Sequence, residues 1–323
     1  MRVVITGAGG FIGSNLVRAL LDVGQLTDRH GIPRQIDRVL LVDSHLPNDT
    51  DRRLERIEGD ISDDAVLQQV GDFQPDSVFH LAAILTSAAE KEPARALQVN
   101  VSALARLIEM VGSHKNPPKF VFPSSIAVFG GALPDVVHDD LVQHPQTSYG
   151  THKSIAELML ADATRRGEID GRSLRLPIVL VHPGPPTLSV SDRIAAIVRD
   201  AVAGRDVTVP LKNDTCIPVV SVAAVATGLI GLHNVPSAKL NGTTAINLPA
   251  LTVSMADIVA SLERTIDPSR LAKIAFTPDA TLEAIVDSWP KGFVSRTASA
   301  IGISGDDNFD SIVRHYIASL DNA

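Results

Sequence analysis

Gly7-Ala8-Gly9-Gly10-Phe11-Ile12-Gly13 is the stretch whose reading decides the fold. It follows a short apolar run, Val3–Thr6, and opens an amphipathic helical pattern, Phe11–Val23. A glycine-rich turn between a strand and a helix is the context that a dinucleotide-binding fold requires. Gly7 permits the tight turn. Gly10 lets a pyrophosphate approach the helix N-terminus, where free N–H groups and the dipole favour an anion. Gly13 allows helix and strand to pack closely, and Phe11 and Ile12 complete the loop. The spacing is G-x-x-G-x-x-G, not G-x-G-x-x-G.

The same alternation continues outward from this loop. Val39–Val42, Ser77–Leu81, Lys119–Pro123 and Ser173–Val181 read as buried strands. Asp63–Val70, Pro93–Val111 and Ser148–Arg166 read as helices between them. Strands alternating with helices predict an α/β fold, a Rossmann doubly wound parallel sheet. Past Val181 the run His182-Pro183-Gly184-Pro185-Pro186 breaks regular structure, and short helical patterns follow. Val219–Leu232 is apolar and alanine-rich, which suits a helix returning to the main domain. The division expected is a dinucleotide-binding domain over 1–182 and 214–248, with a smaller, mostly helical substrate lobe over 183–213 and 249–323.

Composition narrows the function classes. The chain has 323 residues, 45% hydrophobic, enough to build a core. A net charge of −8 disfavours nucleic acid as a partner. Aromatic residues, at 4%, are too few for base-stacking platforms. The single cysteine excludes an internal disulfide and a cysteine-based zinc site, and the histidines lack metal-ligand spacing, so no metal is expected. No apolar run reaches the roughly eighteen residues of a membrane span, and no charged leader precedes the first strand. A cytoplasmic location is the expectation.

Asp43 closes the second strand. An acid there accepts hydrogen bonds from both adenosine ribose hydroxyls and repels a 2′-phosphate, which predicts NAD over NADP. It lies further beyond Gly13 than the usual gap of about 20 residues. Gly24–Asp37, rich in turn formers, reads as an inserted surface loop that accounts for the excess.

Tyr149 and Lys153 are four residues apart on a predicted helix and so share a face. A phenol, with an ordinary pKa near 10, is a poor base at neutral pH. A nearby ammonium and a positive nicotinamide ring would stabilise its phenolate. Ser125 stands just past the strand Lys119–Pro123, where parallel sheets line their ligand crevice, and its hydroxyl can bond a reacting oxygen. Asn100, inside the Pro93–Val111 helix, is placed to interrupt it locally and offer an amide to water.

Together these residues resemble the extended short-chain dehydrogenase/reductases, the NAD-dependent epimerase/dehydratase family. The matching pieces are Gly7–Gly13, Gly59-Asp60-Ile61, His80-Leu81-Ala82-Ala83, Asn100, Ser124-Ser125 through Gly130, Tyr149 with Lys153, and Asn247-Leu248-Pro249 followed by Val253-Ser254-Met255. The resemblance implies that Asp60 and Ile61 flank the adenine. It places Leu81, Ala82 and Ala83 along the pyrophosphate and ribose, and Pro177 and Val179 near the nicotinamide. Asn100 is counted with the cofactor-binding residues. Ser125, Tyr149 and Lys153 become the catalytic triad, with Lys153 also holding the nicotinamide ribose. Phe129 replaces a tyrosine usual in the family. Family members commonly pair helices equivalent to Pro93–Val111 and Ser148–Arg166, so a homodimer is expected.

Departures from the pattern bear on the substrate. Nucleotide-sugar epimerases carry Asn-Val-Tyr-Gly-Pro after this strand, where this chain runs from Arg175-Leu176-Pro177 to Pro183-Gly184-Pro185-Pro186, and an arginine where this chain has Asn213. A diphosphate needs cationic or well-aimed donors, so a smaller substrate is expected. Arg175-Leu176-Pro177 through Pro186, with Ser288-Trp289-Pro290, resembles a branch of the family that oxidises C2 of a four-carbon, D-erythronate-like sugar acid with NAD. Arg296 is the candidate partner for the acid's carboxylate, or else a solvated surface residue. Thr86 and Ser87 either bind substrate hydroxyls or cap a helix. Ser125 and Tyr149 touch the substrate as well. Two rivals stay open: a nucleotide-sugar 4-epimerase with tightly bound NAD, and a non-catalytic NAD-binding regulator, against which the intact triad argues. His80 and Trp289 read as core residues, and Asp139-Asp140 as a solvated loop pair.

Overall fold

The computed structural model describes residues 1–182, 190–240 and 242–321. Pro183-Gly184-Pro185-Pro186 of the helix-breaking run lies outside the described residues. Along the first part of the chain the elements are β1 (Arg2–Thr6), α1 (Phe11–Val23), β2 (Arg38–Asp43), β3 (Leu54–Glu58), α2 (Asp64–Asp72), β4 (Ser77–His80), α3 (Thr86–Lys91), α4 (Pro93–Leu97), α5 (Ala103–Gly112), β5 (Lys119–Ser125), α6 (Ser148–Arg165) and β6 (Asp170–Leu176). Then come β7 (Ile178–Leu180), α7 (Val190–Val202), β8 (Cys216–Ser221), α8 (Val222–Asn234), β9 (Ala245–Asn247), β10 (Leu251–Ser254), α9 (Met255–Thr265), α10 (Ala280–Asp287), α11 (Arg296–Ala300) and α12 (Phe309–Asp321).

Seven strands form one sheet in the order β9-β6-β5-β4-β1-β2-β3, every pair parallel. The strand order reverses at β1, with β2 on one side and β4 on the other, which opens a crevice at the C-terminal ends of these strands. Alternate residues of β1 face opposite layers. Val3 and Ile5 join Leu16 and Leu20 of α1 and Val225 and Leu229 of α8, whereas Val4 joins Leu67 of α2, Leu104 and Leu107 of α5 and Leu160 of α6. This is the expected doubly wound arrangement.

Several details differ from the sequence reading. β3 was not anticipated, because its residues alternate at a half-exposed sheet edge and lack an apolar run. The loop Gly24–Asp37 contains a small antiparallel hairpin, Gln25–Thr27 with Pro33–Gln35. The single strand expected over Ser173–Val181 is two strands, because Pro177 lacks an N–H for the ladder. The chain leaves the large sheet there and joins a second sheet of order β7-β8-β10. The Val219–Leu232 segment enters as strand through Ser221, whose side chain caps α8 by accepting from Ala224 N. The lobe is mostly helical, as expected, and carries short strands as well, among them β10 and the pair Val207–Val209 with Ile274–Phe276. Its own core joins Ile178 and Leu180 to Ile194, Val198, Ile217, Ile258 and Val313, with Trp289 packed against it. Ala298 and Ile303, near the C-terminus, pack instead into the layer beneath the large sheet.

At the opposite end of that sheet, Lys119 and Arg172 close the C-terminus of α8. Lys119 Nζ donates to His233 O at 2.8 Å, and Arg172 Nη1 donates to His233 O at 2.9 Å and Val235 O at 2.5 Å. Cations at a helix C-terminus satisfy carbonyls that have no partner within the helix. No helix among the described residues is long and apolar enough to cross a membrane.

Candidate active site

The phosphate loop behaves as its glycines predict. Gly7 has φ +70°, and a Cβ there would lie 2.6 Å from Ala82 N, so the loop rests against the backbone of Leu81 and Ala82. A Cβ on Gly13 would lie 2.0 Å from Gly7 O, which is the close helix–strand contact expected of this position. Gly10 is the N-cap of α1, exposed and with no side-chain cap bond. The first-turn N–H groups of α1 therefore have no side-chain acceptor, a terminus suited to a phosphate. Phe11 packs its ring on His182 at 4.8 Å, joining the loop to the end of β7. Ile12 is half-buried beside the core.

Asp43 ends β2 and accepts from Gly9 N at 2.9 Å, which leaves its other oxygen with only longer bonds, at 3.3 Å, to Ser44 Oγ and His45 N. Asp60 is ion-paired with Arg95 and accepts from Ser62 N at 2.8 Å. Ile61 is buried in the core between the sheet and α2, with 5% exposed. Leu81, Ala82 and Ala83 run past the end of β4 and are half-buried. Thr6 Oγ1 and His80 Nδ1 are 2.7 Å apart, and burial pushes the His80 pKa down to about 3, so this histidine is a neutral core residue as read.

Asn100 does interrupt its helix: Gln98–Ser102 form a π-helical turn. Its amide is not offered to water. Oδ1 accepts from Ile84 N at 2.8 Å, and Nδ2 donates to Ile84 O at 2.9 Å and approaches His152 Nδ1 at 3.3 Å. Asn100 therefore fixes the loop that carries Leu81–Ile84.

Ser125 lies at the end of β5, where its Oγ accepts from Ala127 N at 3.1 Å and its hydroxyl meets Tyr149. Thr147 caps α6 by accepting from Gly150 N at 3.0 Å, and this sets the first turn that presents Tyr149. Lys153 is buried, donates to Pro123 O at 2.7 Å, and holds its ammonium 5.5 Å from the Tyr149 ring centre. The three triad residues are thus brought together. Their electrostatics differ from the sequence expectation. Burial of the hydroxyl pushes the Tyr149 pKa up to about 12, and the Ser125 bond opposes this only in part. Burial also pushes Lys153 down to about 7, with the Glu157 charge acting in the opposite direction. The protein alone does not produce a low-pKa tyrosine.

The remaining predicted residues lie on other elements. Pro177 is the buried break between β6 and β7, and Val179 follows it, half-buried. Thr86 and Ser87 are the exposed first residues of α3, without side-chain cap bonds at that end. Arg296 is the exposed first residue of α11, directly after the cap Ser295.

Sequence reasoning missed a buried polar network. Asp139 is not a solvated loop residue: it accepts from Asn247 N at 2.7 Å and from Ser295 Oγ at 2.8 Å, joining the loop after β5 to β9 and α11. Glu157, one turn beyond Lys153, is gripped by Arg175 through Nε at 2.9 Å and Nη2 at 2.8 Å, and accepts from Ser124 Oγ. The fourfold spacing Tyr149, Lys153, Glu157 was the available signal. Among the described residues no group of acidic, His or Cys side chains could hold a metal ion.

Residues 3–248 match the model of the NAD dependent epimerase/dehydratase family. The chain is 36% identical over 318 residues to a D-erythronate dehydrogenase of Cupriavidus necator, covering 98% of each chain. It is 31% identical over 319 residues to a D-erythronate dehydrogenase of Haemophilus influenzae, covering 98% of this chain and 99% of the other. Among solved structures, a nucleoside-diphosphate-sugar epimerase from Agrobacterium tumefaciens is similar with a TM-score of 0.90 and 27% identity, covering 98% of this chain and 94% of that one.

Proposed function

The chain belongs to the NAD-dependent epimerase/dehydratase family, and from that premise we propose that it is an NAD-dependent dehydrogenase of a small sugar acid, oxidising the C2 hydroxyl of D-erythronate or a close relative to the 2-keto acid. The observation that carries this reading is the full-length similarity to D-erythronate dehydrogenases, over a chain in which Ser125, Tyr149 and Lys153 converge.

Gly7–Gly13 and the open N-terminus of α1 would take the pyrophosphate, Asp43 the adenosine ribose, and Asp60 and Ile61 the adenine side. Leu81–Ala83, fixed by Asn100, together with Pro177 and Val179, would line the rest. Bound NAD supplies the hydride acceptor. Ser125 orients the substrate oxygen, and Tyr149 takes its proton. Lys153 lies close enough to stabilise the Tyr149 phenolate that accepts this proton, and holds the nicotinamide ribose. Arg296, exposed and at the start of α11, would pair with the carboxylate, and Thr86 and Ser87 would meet substrate hydroxyls.

The second reading, a nucleotide-sugar epimerase, is favoured by the backbone similarity to the Agrobacterium enzyme. The turn at Lys212–Thr215 argues against it. There Asn213 stands where epimerases have arginine, and the buried Glu283 carboxylate accepts from Lys212 N and, at 3.2 Å, from Thr215 Oγ1. The Lys212 ammonium is drawn to the same carboxylate at 3.8 Å, so the turn offers a diphosphate no arginine and a lysine that is already paired. Net NADH formation on D-erythronate, with none on UDP-sugars, is expected; interconversion of UDP-sugars without net NADH would replace this reading with the second.

We also read the chain as a homodimer through α4–α6. Leu97 and Leu158 on these helices are 46% and 70% exposed, which suits burial against a second copy. Sedimentation at micromolar concentration should give a dimer; monomer alone would refute it.

A further inference from the structure

The C-terminal end of β5 is fastened to α6 at three successive residues. Pro123 O accepts from Lys153 Nζ at 2.7 Å, Ser124 Oγ donates to Glu157, and Ser125 bonds Tyr149. Tyr149, Lys153 and Glu157 recur every fourth residue and so form one face of α6. Glu157 is 4% exposed, and its charge is balanced by Arg175, itself 6% exposed and paired in register with Ser124 on the adjacent strand. Arg175 is held in turn by Asp139 O at 2.8 Å, and its guanidinium lies 5.1 Å from the Phe129 ring centre. Gln143 donates to the carboxylate as well. A bidentate, buried carboxylate fixed by three side chains is costly to desolvate, and packing alone could be met by apolar residues.

We propose that Glu157 is a positioning residue for the reaction: clamped by Arg175, its carboxylate supplies the fixed countercharge that holds the Lys153 ammonium beside Tyr149. This rests on the reading of Tyr149 and Lys153 as the reacting pair. Lys153 needs such a partner. It makes one hydrogen bond, to a neutral carbonyl, and lies against the faces of Phe122, at 4.1 Å, and Tyr149. The titratable and charged groups around it are Tyr149 and Glu157 on α6, His80 at the end of β4, and Arg175 on β6, which reaches it through Glu157. His152, between Tyr149 and Lys153, turns to Asn100 and feels Glu90. Of these groups only Glu157 raises the Lys153 pKa. A neutral lysine could not stabilise a phenolate.

The test is the pH dependence of kcat on D-erythronate for Glu157→Gln against wild type. Acid recharges Lys153 in both proteins, so their rates should converge near pH 5 and diverge by about 10-fold near pH 9, the size of roughly one pKa unit. Glu157→Asp, which keeps the charge, should follow the wild-type profile. A readout independent of turnover is NMR titration of the Lys153 side chain in the cofactor-free protein, whose midpoint should be lower in Glu157→Gln. If an orphaned Arg175 prevents folding, Glu157→Gln with Arg175→Met removes both charges and should show the same divergence. A loss equal at every pH, or an unmoved lysine midpoint, overturns the proposal. Tyr149→Phe, measured alongside, separates the two failures: wild-type turnover there would instead overturn the reading on which this one rests.

Discussion

The Asp43 carboxylate accepts the Gly9 amide at 2.9 Å, so the acid that ends β2 is also a strut of the phosphate loop. If Asp43 takes the adenosine ribose as proposed, its carboxylate keeps lone pairs for the hydroxyls and sets a negative charge where a 2′-phosphate would lie. Wild type should bind NAD at least about 10-fold more tightly than NADP, consistent with a charge-assisted hydrogen bond of about 1.5 kcal/mol or more. Asp43→Asn should weaken NAD by a similar factor and narrow the preference. Equal affinity of wild type for both cofactors, by fluorescence titration, would contradict this role.

Two glycines of the loop should fail in different ways. Gly13→Ala puts a methyl 2.0 Å from Gly7 O and 2.8 Å from Ala8 Cα, so α1 must move off β1. Overpacking of this kind costs about 1–3 kcal/mol, and the thermal midpoint should drop by several degrees. Gly10→Ala meets only Gly7 O, at 3.3 Å, on a backbone with φ −72° that alanine adopts freely. That variant should keep nearly wild-type stability and lose about 10-fold or more in NAD affinity. Unaltered NAD binding in Gly10→Ala would move the pyrophosphate away from this terminus.

Arg296→Ala should raise KM for the sugar acid by about 10- to 100-fold, the loss of a charged pair, with NAD affinity and stability nearly unchanged because the residue is exposed. Unchanged KM would assign the carboxylate to another group.

Stability should decline in mild acid. His80 and His233 are buried and neutral, each pushed down to about 3 by burial, whereas the unfolded chain takes up protons near pH 6.5. The unfolded state therefore binds more protons from about pH 6.5 downward, and stability falls as pH falls. Between pH 6.5 and 5 the combined loss should be on the order of 2–4 kcal/mol, before most carboxylates titrate. The two buried lysines act in the same sense at higher pH: Lys119 and Lys153, lowered to about 8 and 7, add stability as pH rises from 7 towards 10. A urea midpoint that is flat from pH 6.5 to 5 would show that these histidines are open to solvent.

The strands flanking β1 were legible because each is buried on both faces and reads as a continuous apolar run. β3 was not, since an edge strand needs only an alternating pattern. Proline at 177 was read as part of a motif, yet its missing N–H is what passes the chain from one sheet to the next. The triad could be read from spacing on one helix and from its place at a strand end. Its charge state could not, because burial of Tyr149 and Lys153 depends on residues far apart in the chain. Glu157 and Asp139 look like ordinary polar positions until Arg175, Asn247 and Ser295 are brought to them by the sheet and the lobe.

Tyr149→Phe is the most direct test of the central claim. The ring and its packing stay, and only the oxygen that bonds Ser125, and that on the proposed mechanism accepts the substrate proton, is removed. NADH formation on D-erythronate at saturating substrate should fall about 100-fold or more, with NAD affinity close to wild type. Turnover at the wild-type rate would show that Tyr149 is not the base and would end the dehydrogenase mechanism described for this site.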